Sequence, residues 1–132
     1  MDTMSLVRQA IVGDSGIVDV IDDRCWCPRP DDGFDAEKNG PGVSFFTRGG
    51  FSHLEVKELE GPNVQVTAWA VTSEDARTLY SLLRGRLHQL DQLQLNGGFL
   101  MSCTEVGIGQ DVVDPDTNWN TVVSFFQFWF RP

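Results

Sequence analysis

The sequence predicts an α+β protein, with a mainly antiparallel sheet of about four or five strands, one long central helix and a short N-terminal helix. Three observations carry this reading. Val64, Val66, Ala68 and Ala70 alternate with Gln65, Thr67, Trp69 and Val71, the period of two of a strand. Immediately afterwards the period changes: Ala76, Leu79, Tyr80, Leu83, Leu87 and Leu90 recur at steps of three and four, one apolar stripe of a helix. The final stretch, Thr121 to Phe130, reads as a long, strongly apolar strand. The order is helix, strands, helix, two strands, which suits an antiparallel sheet better than a parallel one.

Taken in order, residues 2 to 12 read as the short helix. Asp2 or Thr3 caps it, Leu6, Val7, Ala10 and Ile11 share one side, and Gly13 ends it. Ile17, Val18, Val20 and Ile21 form an apolar island expected to be a short strand. Residues 22–42 read as a long exposed loop, interrupted by Pro28, Pro30, Gly33, Gly40 and Pro41 and charged by Asp31, Asp32, Asp35 and Glu37. The composition of Cys25 to Gly42 also predicts mobility in an isolated subunit. Strand structure resumes at Val43 to Phe46, Gly49-Gly50 is a turn, and His53 to Leu59 alternates as the next strand. Gly61-Pro62-Asn63 turns the chain into the central strand. Thr72 is the helix N-cap, and Glu74 and Asp75 place negative charge at the positive end of the helix dipole. Asn96-Gly97-Gly98 signals a turn, and Phe99 to Ile108 a strand whose end Gly107 and Gly109 loosen. The whole of 1–132 is expected to form a single domain.

Composition narrows the function classes. No apolar run approaches the roughly 20 residues of a membrane span, and MDTMSLVRQAIVG lacks a signal-peptide pattern. A cytoplasmic protein, or one assembled into a particle there, is expected, with no membrane partner. The net charge is −9, and residues 1–60 hold 12 of the 19 acidic groups against 6 Lys and Arg. Such a surface repels phosphate, so tight nucleic-acid binding is not expected.

Candidate chemistry is sparse. Cys25-Trp26-Cys27-Pro28 is the feature most suggestive of chemistry, and with Cys103, His53 and His88 it could in principle hold a metal. Its CxC spacing lacks the two to four intervening residues of zinc pairs, and no second pair exists. No local pattern joins either histidine to a nucleophile. Asp22-Asp23, Asp31-Asp32 and Asp114-Asp116 match no calcium-loop spacing. Gly107-Ile108-Gly109 lacks the third glycine of a dinucleotide loop. No catalytic, metal or cofactor site is expected, and the protein reads as a non-enzyme.

The last strand is apolar on both faces. Val122, Phe126, Phe128 and Phe130 lie on one side and are assigned to the core. Val123, Phe125 and Trp129 lie on the other, with Gln127 among them. Such a strand is either a central one with elements packed on both faces or leaves one face to another subunit; large aromatics on a face without a helix of its own suit the interface, and Trp69 of the central strand joins this set.

The strand–helix unit from Asn63 to Leu90 resembles the central unit of tail-terminator (tail-completion) proteins of long-tailed bacteriophages. The short acidic loop Asp114-Pro115-Asp116-Thr117, followed by Trp119 and the closing strand, is also similar to theirs. The resemblance covers residues 60 to 132. It implies a virion protein at the head-proximal end of the tail, assembled in the host cytoplasm. It also implies a ring of about six copies whose partners are the tail tube protein and a head-completion or neck protein, with DNA passing through unbound. A neck protein of the same virion is the alternative within this class, and a small metal- or ligand-binding domain the alternative outside it.

Overall fold

The computed structural model describes residues 1–52 and 58–132. Among them the elements run α1 (Thr3–Val12), α2 (Ser15–Ile21), β1 (Cys25–Trp26), α3 (Ala36–Asn39), β2 (Gly42–Ser52), β3 (Glu60–Ala70), α4 (Ser73–Leu87), β4 (Leu90–Leu95), β5 (Gly98–Val113) and β6 (Asn120–Arg131). The α+β class stands, but the sheet has six strands in the order β1-β2-β3-β6-β5-β4. β1 runs parallel to β2, and the other four pairings are antiparallel.

Helix α4 begins where the sequence places it. Thr72 Oγ1 accepts from the Asp75 N–H at 3.1 Å. Its apolar stripe (Ala76, Leu79, Tyr80, Leu83, Leu87) is buried against one face of the sheet. That face presents Val43 and Phe45 of β2, Val64, Val66, Ala68 and Ala70 of β3, and Val122, Phe126, Phe128 and Phe130 of β6, all buried. Helices α1 and α2 pack beside α4 on the same side. Leu6, Val7, Ala10, Ile11, Ile17 and Ile21 complete the core. Arg86 Nε reaches from α4 to the Ala10 carbonyl at 2.9 Å and ties α1 down.

Several expectations need correction. The island at Ile17 to Ile21 is helical, because Asp14 caps it: its carboxylate accepts from the Gly16 and Ile17 N–H groups at 2.8 and 3.3 Å. Ile17 and Ile21, four apart, are the fully buried pair, which is helical spacing. Gly49-Gly50 is a bulge inside β2, where the register shifts between Thr47 and Gly50, and not a hairpin turn. A Cβ at Gly50 would lie 2.3 Å from the Gly61 carbonyl oxygen. Gly61-Pro62-Asn63 belongs to β3, since the Gln127 side-chain amide donates to the Gly61 carbonyl at 2.7 Å and holds the proline-interrupted ladder together. Leu90 leaves the helix stripe and opens β4, a strand the sequence reading lacks. Gln89 and Gln92 take positive φ of 63° and 53° there, which disrupts any simple alternation. Strand β5 continues past Ile108 to Val113.

The 22–42 stretch is largely exposed, but it contains β1 and the one-turn helix α3, with Cys25 and Ala36 buried. Arg24 anchors it by donating to the carbonyls of Pro41 (2.8 Å) and Val20 (3.0 Å), and Arg8 donates to the Cys25 carbonyl. The strand expected over His53 to Leu59 falls mainly on residues 53–57, outside the described residues. Glu58 and Leu59 are not in a strand.

Leu83 lies at the centre of the α4 contact and is buried. Leu83→Ala is expected to cost ~2–5 kcal/mol as a cavity, read as a lowered midpoint in a thermal melt. A midpoint unchanged within about a degree would show that this face is not the main core.

Candidate subunit interface

The opposite face of the sheet carries none of the three longer helices. Its rows follow from the register: Gly42 beside Trp69 and Thr121, Ser44 beside Thr67 and Val123, Phe46 beside Gln65 and Phe125, Asn63 beside Gln127. Val123, Phe125, Trp129 and Trp69 therefore do share one face, and all four are half-buried.

The residues that complete this surface are ones the sequence reading missed. The Trp129 ring lies flat on Gly61, where a Cβ would meet it at 2.8 Å, and Phe51 of β2 stacks on it at 6.3 Å and 15°. Phe125 lies over Gly107, where a Cβ would approach its ring at 2.8 Å. Arg48 spans Phe46 and Phe125, 6.0 and 5.9 Å from their centroids, and donates to Gln65 Oε1 at 2.9 Å. Glycines opposite aromatics are the one signal of these contacts in the sequence, and a glycine there reads equally well as a turn. Asn63 Oδ1 on this face is buried without a hydrogen-bond partner among the described residues.

At the Trp69 end the segment from Cys27 to Asn39 folds over the face. Phe34 packs against Trp26 (4.6 Å) and Trp119 (5.3 Å), and Trp69 Nε1 donates to Ser44 Oγ at 2.9 Å. Trp69 lines an open cleft of about 450 Å³ here with Asp31, Asp32, Asp114 and Asp116. Trp69 thus lies in a cleft that Phe34 and Trp119 also line, whereas Val123, Phe125 and Trp129 lie on the barer part of the face. The acidic loop is a tight hairpin: Asp114 Oδ2 accepts from the Thr117 N–H and hydroxyl at 3.1 and 2.6 Å.

The residues considered for chemistry are dispersed. Cys25, Cys27 and Cys103 are free thiols, and among the described residues no group of three or more His, Cys, Asp or Glu side chains converges. His88 Nδ1 accepts from the Glu105 N–H at 3.1 Å. His53 lies outside the described residues. A buried acid network lies on the helix side. The Glu105 side chain, 2% exposed, accepts from Tyr80 Oη at 2.6 Å and from Arg84 Nε at 2.9 Å, and Tyr80 Oη in turn accepts from the Gly109 N–H at 2.9 Å. This network joins α4 to β5. No helix among the described residues is long and apolar enough to cross a membrane.

Comparison with solved structures finds the same fold in a chain from the virion of a native gene transfer agent (GTA) particle. The TM-score is 0.73 and the identity 13%, over 96% of this chain and 92% of that one. No family model and no curated protein matches the sequence. At this identity the likeness is one of fold.

The titrating groups of the core give a pH signature. Burial pushes the Cys25 thiol up to about 11, against the opposing pull of Arg8. Burial also raises Cys103. Tyr80 is raised first by burial and then by its hydrogen bond to Glu105. The folded state holds all three protons more tightly than the unfolded chain does. Stability is therefore full below the ordinary thiol value of 9.0 and is lost as pH rises towards 11. Melting temperatures measured across this window should fall. A thiol reagent at about pH 8 should modify Cys27 alone in the folded protein and all three cysteines after unfolding. A flat melting profile, or immediate modification of Cys103, would contradict the packing described.

Proposed function

We propose that the chain is a virion structural protein with a non-catalytic role: a tail terminator that forms a ring on the head-proximal end of a phage-like tail. The observation that carries this reading is the fold likeness to a virion chain over nearly the full length of both. The resemblance of residues 60–132 to tail terminators supports the finer assignment. The action of such a protein is steric. One face of the ring matches the last ring of the tail tube. The other differs from a tube subunit, stops its polymerisation and receives a head-completion protein. A heterologous contact that closes on itself supplies the ring, about six copies by the resemblance.

Val123, Phe125 and Trp129 on the barer part of the face are the proposed contact residues, with Trp69 contributing from the open cleft it lines. They lie on the sheet face without the longer helices, and aromatics of this kind dominate binding energy near interface centres. The net charge of −9 makes identical subunits repel at long range, so added salt should favour assembly until screening is complete.

Electron microscopy of particles assembled without this protein tests the role. Overlong tails are expected. Normal-length tails lacking heads would assign a neck protein instead, and unaltered particles would reject a virion role. For the interface, Trp129→Ala should weaken oligomerisation by ~2 kcal/mol and lower the melting temperature of the dissociated subunit less. Sedimentation and a melt below the association threshold separate the two. An intact oligomer with a much lower melting temperature would make Trp129 a core residue.

A further inference from the structure

At the Trp69 end of the sheet face, two loops far apart in sequence close on the cleft of about 450 Å³. Its apolar wall is three aromatic rings, Phe34, Trp69 and Trp119, each half-buried. Trp69 Nε1 is committed to Ser44 Oγ, and the Phe34 ring packs edge-on against Trp119, so the wall is held in place. The rim is acidic. Asp31 and Asp32 come from one loop, Asp114 and Asp116 from the other. Asp31 accepts from Trp26 Nε1 at 3.1 Å, and Asp114 from the Thr117 hydroxyl at 2.6 Å. None of the four carboxylates joins an ion pair among the described residues, where the pairs are Arg77–Asp111 and Arg84–Glu105. Arg29, the single base of the lining, pairs with none of them.

Like charges gathered from two loops repel one another, so the empty cleft works against the stability of the isolated subunit. Carboxylates around aromatic faces suit one kind of guest, an organic cation, which the ring faces attract and the acids neutralise. A guanidinium fits better than an ammonium. It is planar and weakly hydrated, and it stacks on a ring while its N–H groups reach carboxylates. This chain is a poor source of that cation, since its net charge is −9. Its own arginines are largely committed within the subunit. Arg8, Arg24 and Arg86 donate to main-chain carbonyls, Arg77 and Arg84 pair with carboxylates, and Arg48 donates to Gln65. Charge complementarity therefore points to a different protein.

We propose that this aromatic cleft docks an arginine side chain carried on a segment of a different virion protein. The guanidinium lies against Trp69 and Trp119, flanked by Asp32 and Asp116. This rests on the virion reading above and names what fills the Trp69 end of the contact face, with Val123, Phe125 and Trp129 left to the neighbouring copy. The two contacts respond to salt with opposite sign. Screening weakens an attraction between arginine and acids, whereas it relieves the repulsion between identical acidic subunits.

The test uses the full chain and a glycine-flanked arginine peptide, acetyl-Gly-Arg-Gly-amide, with its citrulline counterpart as a neutral control. In NMR titrations the arginine peptide should shift the indole N–H signals of Trp69 and Trp119 saturably and leave that of Trp129 in place. Its affinity should fall with added salt, and should fall about fivefold when Asp32→Asn and Asp116→Asn are combined. The melting temperature of that double variant should equal or exceed the wild-type value, because repulsion is relieved. Equal binding of the two peptides, shifts scattered over other acidic surfaces, or an affinity unmoved by the double variant overturns the cleft as a cation site and leaves the virion reading standing. In assembled particles the double variant should keep the wild-type oligomer and lose its attachment to a second virion protein. Normal attachment overturns the proposed occupant, and so does a weakened oligomer, in favour of a contact between copies. Particles unaltered when the whole protein is removed overturn the virion reading and the partner with it, whatever the peptide does.

Discussion

The docking of α4 on the β3–β6 pair is the constraint from which the rest of the architecture follows. The helix can lie close to the sheet because Gly109 stands under Tyr80, where any Cβ would come within 2.6 Å of the ring. The same tyrosine hydroxyl accepts from the Gly109 amide and donates to Glu105, so apolar packing and a buried polar network meet at one point. Burial of a carboxylate this complete is tolerated only because Tyr80 and Arg84 satisfy it. α1 and α2 then attach to α4. With all three longer helices on one side, the other face of the sheet keeps its aromatics half-covered. The proposed contact face is thus a by-product of where the helices went.

Much of this was legible in the sequence, and the parts that were not share physical causes. The β3–α4 unit is legible because each part has a long, clean period and buries one face fully, and β6 because its run of valines and aromatics favours a strand even without a clean period. The α2 island reads as a strand because four apolar residues in five obscure the period. Only the Asp14 cap and the spacing of Ile17 and Ile21 distinguish the two. β1 is too short to have a period, and the positive φ at Gln92 breaks that of β4.

Glycine was the most misleading residue. Gly49-Gly50, Gly61 and Gly107-Gly109 were read as punctuation, yet all lie within strands as bulges or close approaches. A turn and a ring lying on bare backbone both need a missing Cβ, and the sequence does not separate them. The candidate face was legible to the same extent. Alternation places Val123, Phe125 and Trp129 on one side, but the contributions of Phe51 and Arg48 depend on strand register.

The position of β6 has a consequence for the order in which the chain is made. It lies between β3 and β5 near the middle of the sheet, yet it is synthesised after every other described strand. Until it emerges, β3 has β2 alone as a neighbour, β5 has only β4, and the sheet exists as two unjoined halves. Phe34 likewise waits for Trp119, 85 residues later. The final step is therefore insertion of a strand between two waiting edges, a non-local closure of the kind that folds slowly. From the completion of β5 until β6 emerges, a nascent chain holds an open slot lined with apolar residues, the transient exposure that invites aggregation or chaperone binding.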